Sequence, residues 1–68
     1  MNQTLSTILQ DLHHPDISTR SRAVFALDKL GNEQFVLDEL LTALATEKDL
    51  LVREDITWAL VRRKETAI

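Results

Sequence analysis

Apolar residues recur along this chain at helical spacing, in separate runs broken by polar turns. Leu5, Ile8, Leu9 and Leu12 stand at i, i+3, i+4 and i+7, and Leu37, Leu40, Leu41 and Leu44 repeat that stripe at an offset of 32 residues. Ala23, Ala26, Leu27 and Leu30 share one face of a second run, and Ile56, Ala59 and Leu60 share the matching face of a fourth. The breaks carry helix stop and start signals. Gly31 follows the last periodic residue, Leu30, and Asn32 is a good N-cap for a helix starting at Glu33. Pro15 disfavours a helical His14, and Asp16 is placed to cap a helix starting near Ile17. In Thr46-Glu47-Lys48-Asp49 the aspartate takes the capping position again. The pattern predicts four helices, near residues 4–13, 17–30, 33–46 and 50–64, with loops short enough to make sequential neighbours antiparallel.

Composition supports helices over strands. The chain has 68 residues, 44% hydrophobic and 28% charged, with aromatics at 4%, one Gly, one Pro and no Cys. That predicts an all-α class and one small core filling a single domain over residues 1–68. The absence of cysteine excludes disulfides, thiolate metal sites and cysteine nucleophiles in this chain. The N-terminus lacks a positive n-region and no apolar run nears the roughly 18 residues of a membrane span, so no membrane association and a cytoplasmic location are expected. A net charge of −3 gives no global positive field to draw the chain to nucleic acid.

The two halves match each other. With one extra residue in the second turn, Asp16, Arg20, Ala23, Phe25, Ala26 and Leu27 align with Asp49, Arg53, Ile56, Trp58, Ala59 and Leu60 at an offset of 33. Two helix-turn-helix units, about 4–30 and 33–64, fit a solenoid period. The stretches from Asp16 to Leu27 and from Asp49 to Leu60 resemble the D-x-x-V-R-x-x-A-x-x-A-L signature of HEAT repeats, most nearly the short type of bilin lyases and related scaffolds. Thr19 stands where that signature has Val, and Ile56 where it has the first Ala. The resemblance implies two HEAT-like hairpins in a short α-solenoid. It also implies that Asp16/Arg20 and Asp49/Arg53 form structural ladders between units, with no chemical role.

Phe25 and Trp58 break the core pattern. Each lies near the side of its helix opposite the core face, the repeat relates them to one another, and Leu51 falls on the same side as Trp58. They either pack into the adjacent unit or serve as binding anchors on the surface that the second helices line. Charge is segregated toward that surface. The second and fourth helices carry Arg20, Arg22, Lys29, Arg53, Arg62, Arg63 and Lys64 against Asp28, Glu54 and Asp55, while the rest of the chain is net negative. Arg22, Lys29 and Arg62 lie near the aromatic side, where a basic-aromatic surface would suit an acidic peptide or a phosphate backbone. Arg62, Arg63 and Lys64 also read simply as solvated cations at a helix C-terminus.

Catalytic patterns are lacking. Adjacent His13 and His14 diverge and have no second cluster to complete a metal sphere, so no metal and no cofactor are expected. The serines have no nucleophile elbow, a single glycine cannot form a phosphate loop, and Asp38-Glu39 and Glu54-Asp55 diverge as helix neighbours. The expectation is a non-catalytic protein-protein interaction or scaffold module that binds a protein partner through the face of helices two and four, or forms a homodimer through helix four. Polar residues on the outer side of helix one (Asn2, Gln3, Thr4, Ser6, Thr7, Gln10) read as a cap, whereas Leu50, Leu51, Trp58 and Val61 leave helix four apolar away from its core. A nucleic-acid-binding role for the basic-aromatic face is the disfavoured alternative, since a helix-turn-helix reader after Gly31 would carry Glu33, Asp38 and Glu39 with no cation. An auxiliary role in bilin attachment or removal follows from the resemblance alone.

Overall fold

A computed structural model describes residues 4–30 and 33–66, with side chains as far as Arg63. Its elements are α1 (Leu5–Asp11), α2 (Ile17–Asp28), α3 (Glu33–Thr46) and α4 (Leu50–Thr66), with no strand among the described residues. The expected capping roles of Asn2, Gln3 and Asn32, the Gly31 stop, and the side chains of Lys64 and Glu65 lie outside the described residues.

Local chemistry sets the helix ends. Thr4 is the N-cap of α1 and not its first residue: its hydroxyl accepts from the Thr7 N–H at 3.2 Å. At the far end His13 and His14 N–H donate to the carbonyls three residues back, Gln10 and Asp11, so the last turn tightens before Pro15 and α1 stops at Asp11 rather than at residue 13. In α2 the Lys29 and Leu30 N–H bonds also reach back three residues, to Ala26 and Leu27, which ends the helix at Asp28, two residues sooner than its apolar pattern. Helix α4 runs two residues beyond the predicted 64.

The sequence repeat becomes an atomic one at the turns before α2 and α4. The Asp16 N–H donates to His14 Nδ1 at 3.0 Å, and the Asp49 N–H to Glu47 Oε2 at 2.9 Å. Asp16 Oδ2 caps the Thr19 N–H at 2.9 Å, and Asp49 Oδ1 caps the Val52 N–H at 3.1 Å. Arg20 then reaches back to the His14 carbonyl at 2.8 Å, and Arg53 to the Glu47 carbonyl at 2.9 Å. Three bonds recur between residues 33 apart, with a histidine in one turn replaced by a glutamate in the other.

Helix α2 sits centrally, packing most extensively on α4 and also on α1 and, less, on α3; α3 packs on α4. Principal extents of 35 × 29 × 16 Å give a slab whose thin dimension is that of two helix layers. The core takes residues from all four helices: Ile8 and Leu12; Ala23, Val24 and Leu27; Val36, Leu40 and Ala43; Val52, Ile56 and Ala59. Leu9, Ala26, Leu30, Leu44 and Leu60 are half-buried against it, in keeping with the predicted faces. The two Leu stripes are narrower than their spacing implies. Leu5 and Leu41 are 46% and 50% exposed, while Val24, Val36 and Val52, outside the predicted stripes, are closed off completely or nearly so. Burial follows where neighbouring helices sit, and a helix flanked on two sides buries more than one stripe.

Candidate functional site

Helices α2 and α4 meet along a seam built in three rungs. The Ser21 hydroxyl donates to Asp55 Oδ2 at 2.6 Å, the Phe25 ring lies 5.6 Å from that of Trp58, and Arg62 pairs with Asp28 Oδ2 at 2.8 Å. Residues 21, 25 and 28 occupy one edge of α2, and 55, 58 and 62 occupy one edge of α4, because three- and four-residue steps return to the same side of a helix. Each rung joins residues 33 or 34 apart, so the two helices run in the same direction and in register.

The middle rung is the exposed one. Phe25 is 39% and Trp58 49% accessible, and their planes are tilted by 60°, an arrangement that sets ring edge toward ring face. The Arg62 guanidinium carbon lies 5.3 Å from the Trp58 ring centre, within cation-π range. Phe25, Trp58 and Arg62 therefore form one continuous surface: the rings pack across the two units and still present their outer sides to solvent.

Beneath this surface lies a charged group that sequence reasoning missed. Asp28, at the last turn of α2, is buried, and its carboxylate binds Arg62 through Oδ2 and Arg63 through Oδ1, the latter at 3.0 Å. Arg63 also donates to the Asp28 carbonyl and pairs with Glu33 Oε1, each at 2.6 Å. Arg63 is thus corrected from a solvated helix-end cation to a buried one, 8% exposed and paired with Asp28 and Glu33. Arg62 keeps half its surface in water, but its charge is matched by Asp28. The signal was available: an acid in α2 and two cations in α4 at offsets of 34 and 35, next to the offset of 33 that relates the aromatic pair.

Leu51 and Arg22 stand apart from the aromatic pair, on an open groove of about 550 Å³ between the first turns of α2 and α4, with Ile17, Ser18, Glu54 and Asp55 among its walls. Lys29 is the exposed C-cap of α2 and belongs to neither group. Of the six candidate partner-binding residues, the fold gathers Phe25, Trp58 and Arg62, gathers Leu51 and Arg22, and leaves Lys29 aside. The basic character read from composition is diluted, because Arg62 is paired and the groove includes two carboxylates.

The candidate ladder residues have local work. Asp16 and Asp49 act as caps, and the Asp16 carboxyl is held below the usual aspartate range by the Thr19 hydroxyl and N–H bonds. Arg53 holds the Leu44 and Glu47 carbonyls. Arg20 ties α2 to the turn before α4, reaching Glu47 through Nε at 3.0 Å and a second nitrogen at 3.1 Å, a two-pronged pair around a carboxylate only 6% exposed. That pair lies beside an open pocket of about 260 Å³ that includes Leu12, His13 and Lys48. His14 Nδ1 is occupied by the Asp16 N–H. Among the described residues no group of three or more His, Asp or Glu is placed to hold a metal ion, and no helix is long and apolar enough to cross a membrane. The chain matches no known protein-family model, curated protein or solved structure.

Proposed function

We propose that the chain is a non-catalytic protein-protein interaction module, made of two HEAT-like helical hairpins stacked as a short solenoid, and that it takes a protein partner through the α2/α4 seam. The observation that carries this reading is the Phe25/Trp58 pair, two large rings held in register by the repeat and left about half open to solvent. Rings fixed in this way lose little conformational freedom on binding, and aromatic anchors on a surface concentrate binding energy at about 2 kcal/mol or more each. Polar Ser21/Asp55 and Asp28/Arg62 rungs above and below give the patch a hydrogen-bonded rim. The in-register, parallel α2/α4 contact and the recurring cap bonds support the solenoid arrangement.

The nucleic-acid alternative loses ground on charge. Arg62 is neutralised by Asp28, and Glu54 and Asp55 stand beside Arg22, so a phosphate backbone would meet carboxylates along the seam. Among the described residues no group favours the bilin alternative.

The test is affinity capture from a lysate of the source organism, comparing wild type with Trp58→Ala and Phe25→Ala. A protein retained by the wild type and lost from both variants is the expected result. Identical captured sets from all three chains, with each variant still helical by circular dichroism, would overturn the reading.

A further inference from the structure

Positions that the repeat makes equivalent differ in burial. In the first unit Leu9 is half-buried, and Val24 and Asp28 are 0% and 8% exposed. Their equivalents in the second unit, Leu41, Thr57 and Val61, are all exposed, the two apolar ones at about half their surface. On α4 the open edge includes Leu50, Glu54, Thr57 and Val61, at i, i+4, i+7 and i+11, turned away from the core-facing Val52, Ile56 and Ala59. Leu50 is 70% exposed. The second unit therefore ends in an exposed edge on which Leu50 and Val61 flank Glu54 and Thr57.

The opposite end of the molecule is polar by the same comparison. The second unit buries Val36, Ala43 and Val52 and uses Asp55 and Arg62 in the seam. The first unit has Thr4, Asp11, Thr19, Arg22 and Lys29 at those five positions. One end reads as a cap and the other as an interface.

We propose that the α3/α4 end docks a second copy of this chain about a two-fold axis, with α4 lying antiparallel on the α4 of its partner. This rests on the reading of the chain as an association module and names one occupant for a face outside the aromatic seam. Two arrangements could cover the edge with another copy. Joining unlike ends would press Thr19, Arg22 and Lys29 onto Leu41, Leu50 and Val61, stripping water from cations with only Glu54 on that edge to receive them. Joining like ends lays apolar side chains on apolar side chains. The spacing on α4 also suits a two-fold. An axis passing between Asp55 and Ile56 sets Leu50 opposite Val61 of the partner subunit, and Glu54 opposite Thr57 of the partner subunit. Such a contact is isologous and stops at two copies.

Sedimentation velocity on the full chain decides this, run over roughly two decades of concentration upward from about 5 μM. Wild type is expected to rise toward twice the monomer mass and level off there. Leu50→Glu/Val61→Glu is expected to stay monomeric at the highest concentration with an unchanged helical spectrum, and Lys29→Glu to dimerise as wild type does. Should the double variant lose its helical spectrum, Leu41→Glu, at another exposed site on the same end, carries the same expectation. A wild type that stays monomeric throughout, a mass that climbs past two copies, or a dimer undisturbed by the end-face charges would each overturn the proposal. Capture that depends on Trp58 but persists in Leu50→Glu/Val61→Glu keeps the seam reading separate from this one.

Discussion

Replacing Asp28 with alanine probes how much of the fold depends on one buried carboxylate. The side chain is 6% exposed and faces two guanidinium groups. Sitting at the C-terminal end of α2, it opposes the helix dipole, a penalty of about 0.3–1 kcal/mol that the substitution would relieve. Against that stands the cost of breaking the buried Asp28–Arg63 pair, about 3–5 kcal/mol, with only the largely exposed Glu33 carboxylate left opposite Arg63. The second effect wins, and the net loss is about 3 kcal/mol. A chain of this length has a total stability of only about 3–10 kcal/mol at the usual per-residue values, so Asp28→Ala takes a large share of it. Thermal unfolding followed by far-ultraviolet circular dichroism should show a fall of about 12–24 °C, at about 4–8 °C per kcal/mol for a domain of this size. Arg62→Ala is the comparison, because it removes the half-exposed partner and leaves Asp28 paired with Arg63; it should cost under about 1 kcal/mol. The repeat supplies a rescue. Its equivalents of Asp28 and Arg63 are Val61 and Leu30, so Asp28→Val/Arg63→Leu removes both charges together and should recover most of the loss. If Asp28→Ala and Arg62→Ala unfold within about 0.5 kcal/mol of each other, the burial argument is wrong.

Other expectations follow from the same contacts. Leu27→Ala, at a fully enclosed site, should cost about 2–5 kcal/mol in urea unfolding, whereas Leu41→Ala, half exposed, should fall within about 0.5 kcal/mol of wild type. A double-mutant cycle on Phe25 and Trp58 should return a coupling of about 0.5–1.5 kcal/mol, and Phe25→Ala alone should shift the emission of the single tryptophan to the red. Asp16 has a folded-state pKa below its unfolded value, so its charge stabilises the fold above the ordinary aspartate pKa of about 3.9, and that contribution fades as pH falls through the lowered folded value. Asp16→Ala should therefore melt below wild type at neutral pH, with the gap narrowing under acid titration below about pH 4; a gap constant across that range would refute the capping argument.

Much of this molecule is determined by local rules that a sequence carries on its surface. Asp16 and Asp49 cap helices because a short carboxylate before an apolar run meets unpaired N–H groups wherever the chain goes next, and Pro15 ends a helix by its own covalent geometry. The offset of 33 was readable for the same reason, and it placed Phe25 and Trp58 on one outward row before any packing was considered. Packing decided the rest. A helical wheel gives the centre of an apolar stripe but not its width, and width depends on how many neighbours a helix has. Because α2 lies between α1 and α4, it buries Val24 and Asp28 beyond the stripe of Ala23 and Leu27. Leu41 has the spacing of a core residue and is half exposed, since nothing in the described chain covers the end of the second unit. Arg63 reads as a solvated cation until Asp28, on another helix, is brought beneath it. Which charges are buried is a property of helix neighbours, and neighbours exist only in the tertiary fold.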